Sequence, residues 1–353
     1  MNALTSRCTI GTKRILRRLS DKVRLRHLST NPDPRVASGG NNNQDGRTSD
    51  VNNTPYIHGS ETHFGFESVG IHEKEGRVKE VFESVADSYD VMNDFMSGGL
   101  HRYWKDQLLD MSAVASMAQI IRKQRPPLQP SGSNGEDQET NPTLRILDVA
   151  GGTGDVSFRF LEAAGCPERA QSSGEDPISV TVCDINAEML RVGEARARKK
   201  YGSSLITESK ALSFVEGNAQ DLHNFKDNSF DLYTIAFGLR NVTDVDKGLA
   251  EAYRVLKPGG RFMCLEFSQV ADPFLRQVYD AYSFSVIPEL GELVASDRAS
   301  YQYLVESIRK FSNQEELLTR MDDVGFHLTK YTNMTGGIVA IHEGWKPIEE
   351  TTQ

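Results

Sequence analysis

The chain of 353 residues has little cysteine and no long apolar run. Its four cysteines are scattered and form no Cys-x-x-Cys pair, which argues against a disulfide framework or a zinc site and fits a reducing compartment. No stretch approaches the ~18 consecutive apolar residues that a membrane-spanning helix needs. With 38% hydrophobic and 25% charged residues, the composition is that of an ordinary globular protein. We therefore expect neither a metal ion nor a membrane span.

Acidic residues are almost missing from the N-terminus. Residues 1–30 contain eight Lys or Arg and one acid, so their net charge of +7 leaves −16 for residues 31–353 within the total of −9. An arginine-rich, acid-poor start with interleaved Leu and Ile is typical of a mitochondrial presequence, and cleavage is expected near residues 28–31. A basic nucleic-acid arm is the alternative. The acidic remainder would repel phosphate, so we expect no nucleic-acid partner.

Polar segments rich in Gly, Pro and Asn divide the chain. Residues 31–73 are predicted to be a disordered linker, and residues 124–143 a polar insertion in a surface loop. Helices are predicted between them, over residues 74–122. One domain is therefore expected at residues 74–345, followed by a tail at residues 346–353.

From residue 144 onward, apolar runs alternate with helical patterns. This alternation predicts an α/β fold with a Rossmann-like, doubly wound and mostly parallel sheet. The strands are expected at residues 145–149, 179–183, 211–216, 230–236 and 261–267. A turn is predicted at Lys-Pro-Gly-Gly, residues 257–260. Near the end, residues 326–332 and 337–342 are predicted to form an antiparallel hairpin at the sheet edge.

The most informative stretch is Asp-Val-Ala-Gly-Gly-Thr-Gly-Asp at residues 148–155. An apolar strand ends there in an acid, and a glycine turn then opens a helix. Glycines let the backbone approach a ligand closely, and the N–H groups at a helix start point toward a polar or anionic group. Gly152, Thr153 and Gly154 are therefore candidate residues for binding a nucleotide-like cofactor.

The acids near this loop bear on which cofactor binds. The dinucleotide pattern is incomplete, because Ser157 stands where the third glycine belongs. Asp155 at the helix start would repel a pyrophosphate. Together with Asp148 and Asp184 it favours a cationic cofactor without phosphate, such as S-adenosylmethionine.

Further polar residues follow the predicted strands. Asp184 ends the second strand, where its carboxylate can accept both hydroxyls of a ribose. Asn218 and Ala219 follow the third strand and can read an adenine edge, although a helix cap at Asn218 explains the sequence equally well. Arg240 and Asn241 follow the fourth strand, where open α/β sheets bind ligands. A structural ion pair of Arg240 is the alternative.

Several of these motifs together resemble the ubiquinone/menaquinone biosynthesis C-methyltransferase family. The matching segments are residues 84–94, 148–155, 237–243, 253–261 and 279–284. The glycine loop and the Lys-Pro-Gly-Gly turn are shared by many class I methyltransferases, whereas Phe-Gly-Leu-Arg-Asn-Val and Tyr-Asp-Ala-Tyr-Ser-Phe are more specific. The resemblance spans roughly residues 75–345. It implies a class I methyltransferase fold and S-adenosyl-L-methionine contacts at Thr153, Asp184, Asn218 and Ala219.

The resemblance implies C-methylation of the ring of 2-methoxy-6-polyprenyl-1,4-benzoquinol in ubiquinone biosynthesis. Arg240 is then expected to stabilise the developing phenolate, Asn241 to orient the ring and Tyr89 to close over the substrate. His101 is a candidate base. The alternatives are methylation of demethylmenaquinol and a non-catalytic scaffold of a quinone-biosynthesis complex.

The resemblance also implies a place and partners. The chain is expected in the mitochondrial matrix, peripheral on the matrix face of the inner membrane, in a complex with other ubiquinone-biosynthesis proteins. Residues 270–312 are rich in aromatic side chains and are predicted to form a helical lid for the polyprenyl tail, with ordinary helix packing as the alternative. Ala150 replaces the first glycine of the general loop, which is tolerable if φ is negative there. Ala236 stands where some relatives have a serine that touches the cofactor.

Overall fold

The computed structural model describes a defined part of the chain. The described residues are 61–85, 93–94, 97–124, 143–166, 176–203, 206, 211–295 and 297–348. The predicted presequence, the first part of the predicted linker and nearly all of the predicted insertion lie outside them.

The N-terminal part of the described chain is a hairpin followed by helices. The elements are β1 (Glu61–Phe64), β2 (Glu67–Gly70), α1 (Ile71–Val85), α2 (Leu100–Ser112) and α3 (Val114–Gln124). β1 and β2 pair antiparallel.

The remaining elements alternate between strands and helices. They are β3 (Leu144–Val149), α4 (Asp155–Ala163), β4 (Ile178–Asp184), α5 (Ala187–Tyr201), β5 (Leu212–Glu216), β6 (Phe230–Ala236), α6 (Val245–Val255), β7 (Leu256–Phe267), α7 (Pro273–Ser285), α8 (Ile287–Ala295), α9 (Arg298–Lys310), α10 (Gln314–Val324), β8 (His327–Met334) and β9 (Val339–Trp345). A short 3₁₀ turn at Leu239–Asn241 follows β6.

Within the described residues, seven strands form one sheet in the order β5-β4-β3-β6-β7-β9-β8. The pairs from β5 to β7 are parallel, and β9 runs antiparallel to both of its neighbours. The predicted α/β class and the antiparallel C-terminal hairpin are therefore confirmed. The last strand is inserted between β7 and β8, so that β8 is the edge strand and carries the exposed, polar sequence.

Side chains that alternate along the strands build a core on each face of the sheet. One face carries Ile146, Val180, Leu232, Met263 and Leu265, and the other carries Leu147, Val149, Tyr233, Ile235 and Cys264. Helices α2 to α5 cover the first face, and α6 and α10 cover the second. Because both faces are buried, the central strands read as nearly continuous apolar runs.

The predicted linker over residues 31–73 is wrong at its end, because residues 61–70 form the β1–β2 hairpin and α1 begins at Ile71. The hairpin owes its structure to distant partners. The ring of Phe64 stacks on that of Tyr303, and the backbone N–H of Phe66 donates to Glu306 Oε2 at 3.1 Å. Local composition does not reveal contacts made across more than 200 residues.

The predicted turn at residues 257–260 lies inside β7. Phe230 pairs with Leu256, but the next aligned partner, Leu232, pairs with Arg261. The extra residues bulge out of the ladder, and Gly259, with a φ of +80°, takes the left-handed conformation that this bulge requires. The strand therefore continues through a sequence that is typical of a turn.

Three helices, α7 to α9, occupy the segment predicted to form a helical lid. Its use as a lid stays a prediction. Across the described ranges, no helix has both the length and the apolar character needed to cross a membrane.

Candidate active site

A cavity opens where β3, β4, β5 and β6 reach their carboxyl ends, and α1 covers it. Five groups of residues line it: 148–153 after β3, 184–186 after β4, 217–220 after β5, 236–238 with 241–243 after β6, and Glu75, Val78, Lys79 and Phe82 of α1. Asp155, Val156, Met189 and Lys105 complete the wall. The topology thus brings the predicted cofactor loop and the motif at residues 237–243 to one site.

The glycine loop follows β3 so closely that side chains are excluded from it. A Cβ at Gly151 would lie 2.8 Å from Val182 Cγ1 and 2.9 Å from the carbonyl oxygen of Asp148. Gly152 and Gly154 have φ values of +52° and +83°, and Gly154 is the N-cap of α4. The backbone therefore turns tightly, and the N–H of Gly154 donates to the carbonyl of Gly151 at 2.8 Å.

Ala150 shows that the loop is strained. Its φ is +51°, so the condition of a negative φ, under which alanine is tolerable there, is not met. A left-handed conformation costs a residue with a Cβ about 1–2 kcal/mol. The turn into the glycine loop begins at this residue, and sequence alone does not report the sign of φ.

Two of the three predicted acids interact with other side chains of the protein. Asp148 is buried and accepts hydrogen bonds from Ser157 Oγ at 2.7 Å and from Thr234 Oγ1 at 2.9 Å. Burial raises the pKa of Asp148 to about 6, although the two hydrogen bonds act to lower it. Ser157, in the place of a third glycine, therefore anchors the end of β3. Asp155 lies 2.9 Å from Lys105 Nζ, so its charge is neutralised and does not by itself favour a cationic cofactor.

Asp184 is an acid of the cavity that keeps its charge for a ligand. Its Oδ1 accepts from the backbone N–H of Asn186 at 2.8 Å, and its Oδ2 from that of Gly152 at 2.9 Å. Burial raises its pKa to about 6, so the carboxylate is ionised at pH 7 and retains lone pairs. Thr153 also lines the cavity, and its hydroxyl accepts from Arg196 Nη1 at 3.1 Å.

Asn218 forms a turn and caps no helix. Its Oδ1 accepts from the backbone N–H of Gln220 at 3.0 Å, and its Nδ2 donates to Glu75 Oε1 at 3.4 Å. No helix begins at Asn218 among the residues described after β5, so the helix-cap alternative is wrong. Asn218 and Ala219 both line the cavity.

Arg240 and Asn241 are adjacent in sequence but take different positions. The Arg240 guanidinium is buried outside the set of cavity-lining residues. It donates from Nη1 to the carbonyl of Phe237 and to Glu266 Oε1 at 3.0 Å. Glu266 Oε2 also accepts from the backbone N–H of Arg240 at 3.2 Å. The structural ion pair thus exists, and the predicted contact of Arg240 with a phenolate stays a prediction. Asn241 lines the cavity.

Of the remaining predicted residues, His101 does not line the cavity. Tyr89 is outside the described residues. His101 is buried in the first turn of α2, with Nδ1 3.1 Å from Ser97 Oγ and 3.5 Å from Asp94 Oδ1. Burial, with the nearby charge of Lys105, lowers the pKa of His101 to about 4. It is therefore neutral at pH 7 and a weak base.

The cover that α1 provides was not predicted from the sequence. Its lining side chains, Glu75, Val78, Lys79 and Phe82, follow the i, i+3, i+4, i+7 spacing of one helix face. This periodicity was available as a signal. Lys105 carried no such signal, because only the packing of α2 against α4 brings it to Asp155.

The donor set fits a cationic cofactor. Carboxylates from Glu75, Asp148, Asp155 and Asp184 line the cavity, against the ammonium groups of Lys79 and Lys105. This excess of acid is suited to a sulfonium and unsuited to a pyrophosphate. The sheet order, the glycine loop and the acid after β4 define the class I S-adenosylmethionine-dependent methyltransferases.

Comparison with known proteins agrees with this class. The sequence model of the ubiE/COQ5 methyltransferase family matches residues 71–346, and the chain belongs to this family. It is 48% identical over 310 residues to "2-methoxy-6-polyprenyl-1,4-benzoquinol methylase, mitochondrial" of Rattus norvegicus, covering 81% of this chain and 85% of that protein. The protein of the same name from Oryza sativa subsp. japonica is 47% identical over 298 residues, with coverages of 83% and 91%.

A solved S-adenosylmethionine-dependent methyltransferase of Thermotoga maritima, described as a possible histamine N-methyltransferase, is 18% identical. The superposition covers 76% of this chain and 99% of the Thermotoga chain, with a TM-score of 0.42. The family match confirms the expected methyltransferase activity and the expected S-adenosylmethionine cofactor.

Proposed function

We propose that this chain transfers a methyl group from S-adenosylmethionine to a ring carbon of 2-methoxy-6-polyprenyl-1,4-benzoquinol, a step of ubiquinone biosynthesis. Relatives that carry the name of this reaction are 46–48% identical to the chain. The observation that carries the proposal is the position of Asn241, Val242 and Thr243. These residues of the specific motif line the same cavity as the glycine loop, so a ring held against them lies beside the methyl donor.

Residues of three loops are suited to hold the cofactor. Asp184 is proposed to accept hydrogen bonds from the ribose hydroxyls, and Asn218 and Ala219 are proposed to hold the adenine. Thr153 and the backbone of Gly152 are proposed to face the amino-acid end of the cofactor. When it is bound, the cofactor supplies an electrophilic methyl group on a sulfonium.

The protein must then position and activate the ring. An aromatic carbon is a poor nucleophile unless a neighbouring hydroxyl gives up its proton, so the enzyme must stabilise a developing phenolate and hold the carbon about 3–3.5 Å from the methyl group. Asn241 is proposed to hold the ring. Arg240 is proposed to stabilise the phenolate through a water. Its buried Nε has no acceptor among the described residues, which supports this role. Tyr89 is proposed to close over the substrate.

The proposal extends to location and partners. We place the chain in the mitochondrial matrix, peripheral on the inner membrane, with other ubiquinone-biosynthesis proteins. The basic, acid-poor residues 1–30 support import, and the polyprenyl substrate requires access to a lipid phase. The helices α7 to α9 are proposed to cover the tail.

A methylation assay with a short-tail 2-methoxy-6-prenyl-1,4-benzoquinol tests this function. We expect one methyl group to be added, with NMR of the product showing it on a ring carbon. A demethylmenaquinol analogue should react far more slowly. Binding of S-adenosylhomocysteine without methylation of either quinol would contradict the proposal and favour the scaffold alternative. Preferred methylation of demethylmenaquinol would favour the second substrate.

Two variants separate the subsites. Asp184→Ala removes the carboxylate proposed to accept hydrogen bonds from the ribose hydroxyls. We therefore expect S-adenosylhomocysteine to bind about 10- to 100-fold more weakly. Asn241→Ala should leave that binding unchanged and reduce kcat/KM for the quinol. Calorimetry and steady-state kinetics distinguish these outcomes. Weakened cofactor binding in Asn241→Ala alone would contradict the assignment.

A further inference from the structure

The orientation of the Asn241 amide is fixed by a residue from a distant part of the chain. The hydroxyl of Tyr303, on α9, donates a hydrogen bond to Asn241 Oδ1 at 3.0 Å. The backbone N–H of Asn241 donates to the carbonyl of Gly238, so the main chain is held as well. Among the described residues, nothing accepts a hydrogen bond from Asn241 Nδ2. With its oxygen occupied by a donor, the amide has its NH₂ group left for a ligand.

Tyr303 is itself held rigidly. It is 5% exposed, and its ring stacks on that of Phe64, with centroids 4.1 Å apart and planes inclined by 15°. Burial raises the pKa of the Tyr303 hydroxyl to about 12, so the group keeps its proton at physiological pH. The hydroxyl therefore remains available as a donor at physiological pH, and its acceptor in the structure is the Asn241 amide oxygen.

The stacking partner belongs to the β1–β2 hairpin, which contacts both sides of the site. The guanidinium of Arg77 lies 5.4 Å from the centroid of the Phe64 ring. The hydroxyl of Thr62 donates to the carbonyl of Thr243 at 3.4 Å, in the same loop as Asn241. The hairpin thus joins α9 to the cavity loop.

We propose that Tyr303 is a positioning residue for the methyl transfer: it holds the Asn241 amide so that Nδ2 donates to an oxygen substituent of the substrate ring. The inference rests on the proposed function, because it assigns to Asn241 a ring hydroxyl or phenolate as its acceptor. Phe64 serves the same end by holding the Tyr303 ring. Without the Tyr303 hydroxyl, the amide is free to turn and to present its oxygen, which repels a phenolate.

The test uses Tyr303→Phe, which deletes one hydroxyl and keeps the stacked ring. We expect kcat for the short-tail quinol to fall about tenfold, the effect of one hydrogen bond, with unchanged affinity for S-adenosylhomocysteine. Tyr301→Phe is the matched control, because Tyr301 is also buried on α9 and lies outside the cavity wall. It should leave kcat unchanged, and both variants should melt at similar temperatures.

A double-mutant cycle separates positioning from a general structural role. If Tyr303 acts through Asn241, Tyr303→Phe combined with Asn241→Ala should be no slower than Asn241→Ala alone. The inference is overturned if the losses in kcat of the two single variants add, or if Tyr303→Phe is as fast as wild type. The proposed function would survive either result, because the wild type would still methylate the quinol. A wild type that binds S-adenosylhomocysteine but does not methylate the quinol overturns both.

Discussion

Gly238 and Ala150 meet where the loops after β6 and β3 cross. A Cβ placed on Gly238 would lie 2.3 Å from Ala150 Cβ, whereas ordinary contacts begin at about 3.4 Å. The φ of Gly238 is −113°, so its backbone accepts alanine, and the contact alone decides the outcome. The two loops must separate by more than an ångström, and overpacking of this kind costs about 1–3 kcal/mol. We expect Gly238→Ala to reduce the free energy of unfolding by that amount and to weaken cofactor binding.

Adding Ala150→Gly to Gly238→Ala should restore the stability lost in Gly238→Ala. It removes the obstructing methyl group and relieves the left-handed strain at a φ of +51°, worth about 1–2 kcal/mol. The higher backbone entropy of glycine in the unfolded chain offsets about 0.5–1 kcal/mol of this gain. Ala150→Gly alone should therefore be neutral or slightly stabilising. The double variant should lie within about 1 kcal/mol of wild type, which gives a coupling energy of about 2 kcal/mol.

Urea unfolding and calorimetry with S-adenosylhomocysteine measure this cycle. Gly76→Ala, in α1, is the control, because nothing lies within 4 Å of its added Cβ and alanine stabilises a helix interior by about 0.5–1 kcal/mol. A Gly238→Ala variant as stable as wild type would refute the reasoning, and so would purely additive effects of the two substitutions.

Three further predictions concern buried charges. Glu266→Ala leaves the Arg240 guanidinium buried without its partner, which should cost about 3–5 kcal/mol and lower the Tm by about 10 °C in calorimetry; an unchanged Tm would contradict the pairing. The pKa of Asp148 is raised to about 6 from 3.8, so the stability conferred by its protonated form is lost as pH rises through that interval. In urea unfolding, the free energy of unfolding of Asp148→Asn should rise by about 1 kcal/mol relative to that of wild type between pH 5 and pH 7.5. A difference between the two proteins that does not change with pH would argue against the raised pKa. Lys105→Met removes one positive charge from the cavity wall and leaves Asp155 paired with Arg159 alone, at 3.5 Å. Calorimetry should therefore show the affinity for S-adenosylmethionine rising about fivefold relative to that for neutral S-adenosylhomocysteine. An unchanged ratio of the two affinities would exclude this electrostatic role.

Much of the fold follows from local sequence patterns. The central strands are buried on both faces, so they appear as apolar runs, and β6 begins and ends at the predicted residues, 230 and 236. Helix α5 also has local signals at both ends, because Asn186 caps its start and Gly202 ends it. The patterns failed where tertiary contacts override them, as in the β1–β2 hairpin and the bulge around Gly259.

The candidate cofactor site was also largely predictable. Parallel strands end at one edge of a sheet, so polar residues that follow consecutive strands, such as Thr153, Asp184 and Asn218, converge there. Whether each side chain is available to a ligand did not follow from position. Lys105 neutralises Asp155, and Glu266 binds Arg240, through elements far apart in the chain.

The sequence by itself determined the sheet, the glycine loop and the family of the enzyme, because these depend on periodicity and on short motifs. Tertiary structure alone decided the sign of φ at Ala150, the partners of the buried charges and the contact of Tyr303 with Asn241. Each of these depends on distances between segments that only the packed chain brings together, and no local pattern encodes such distances.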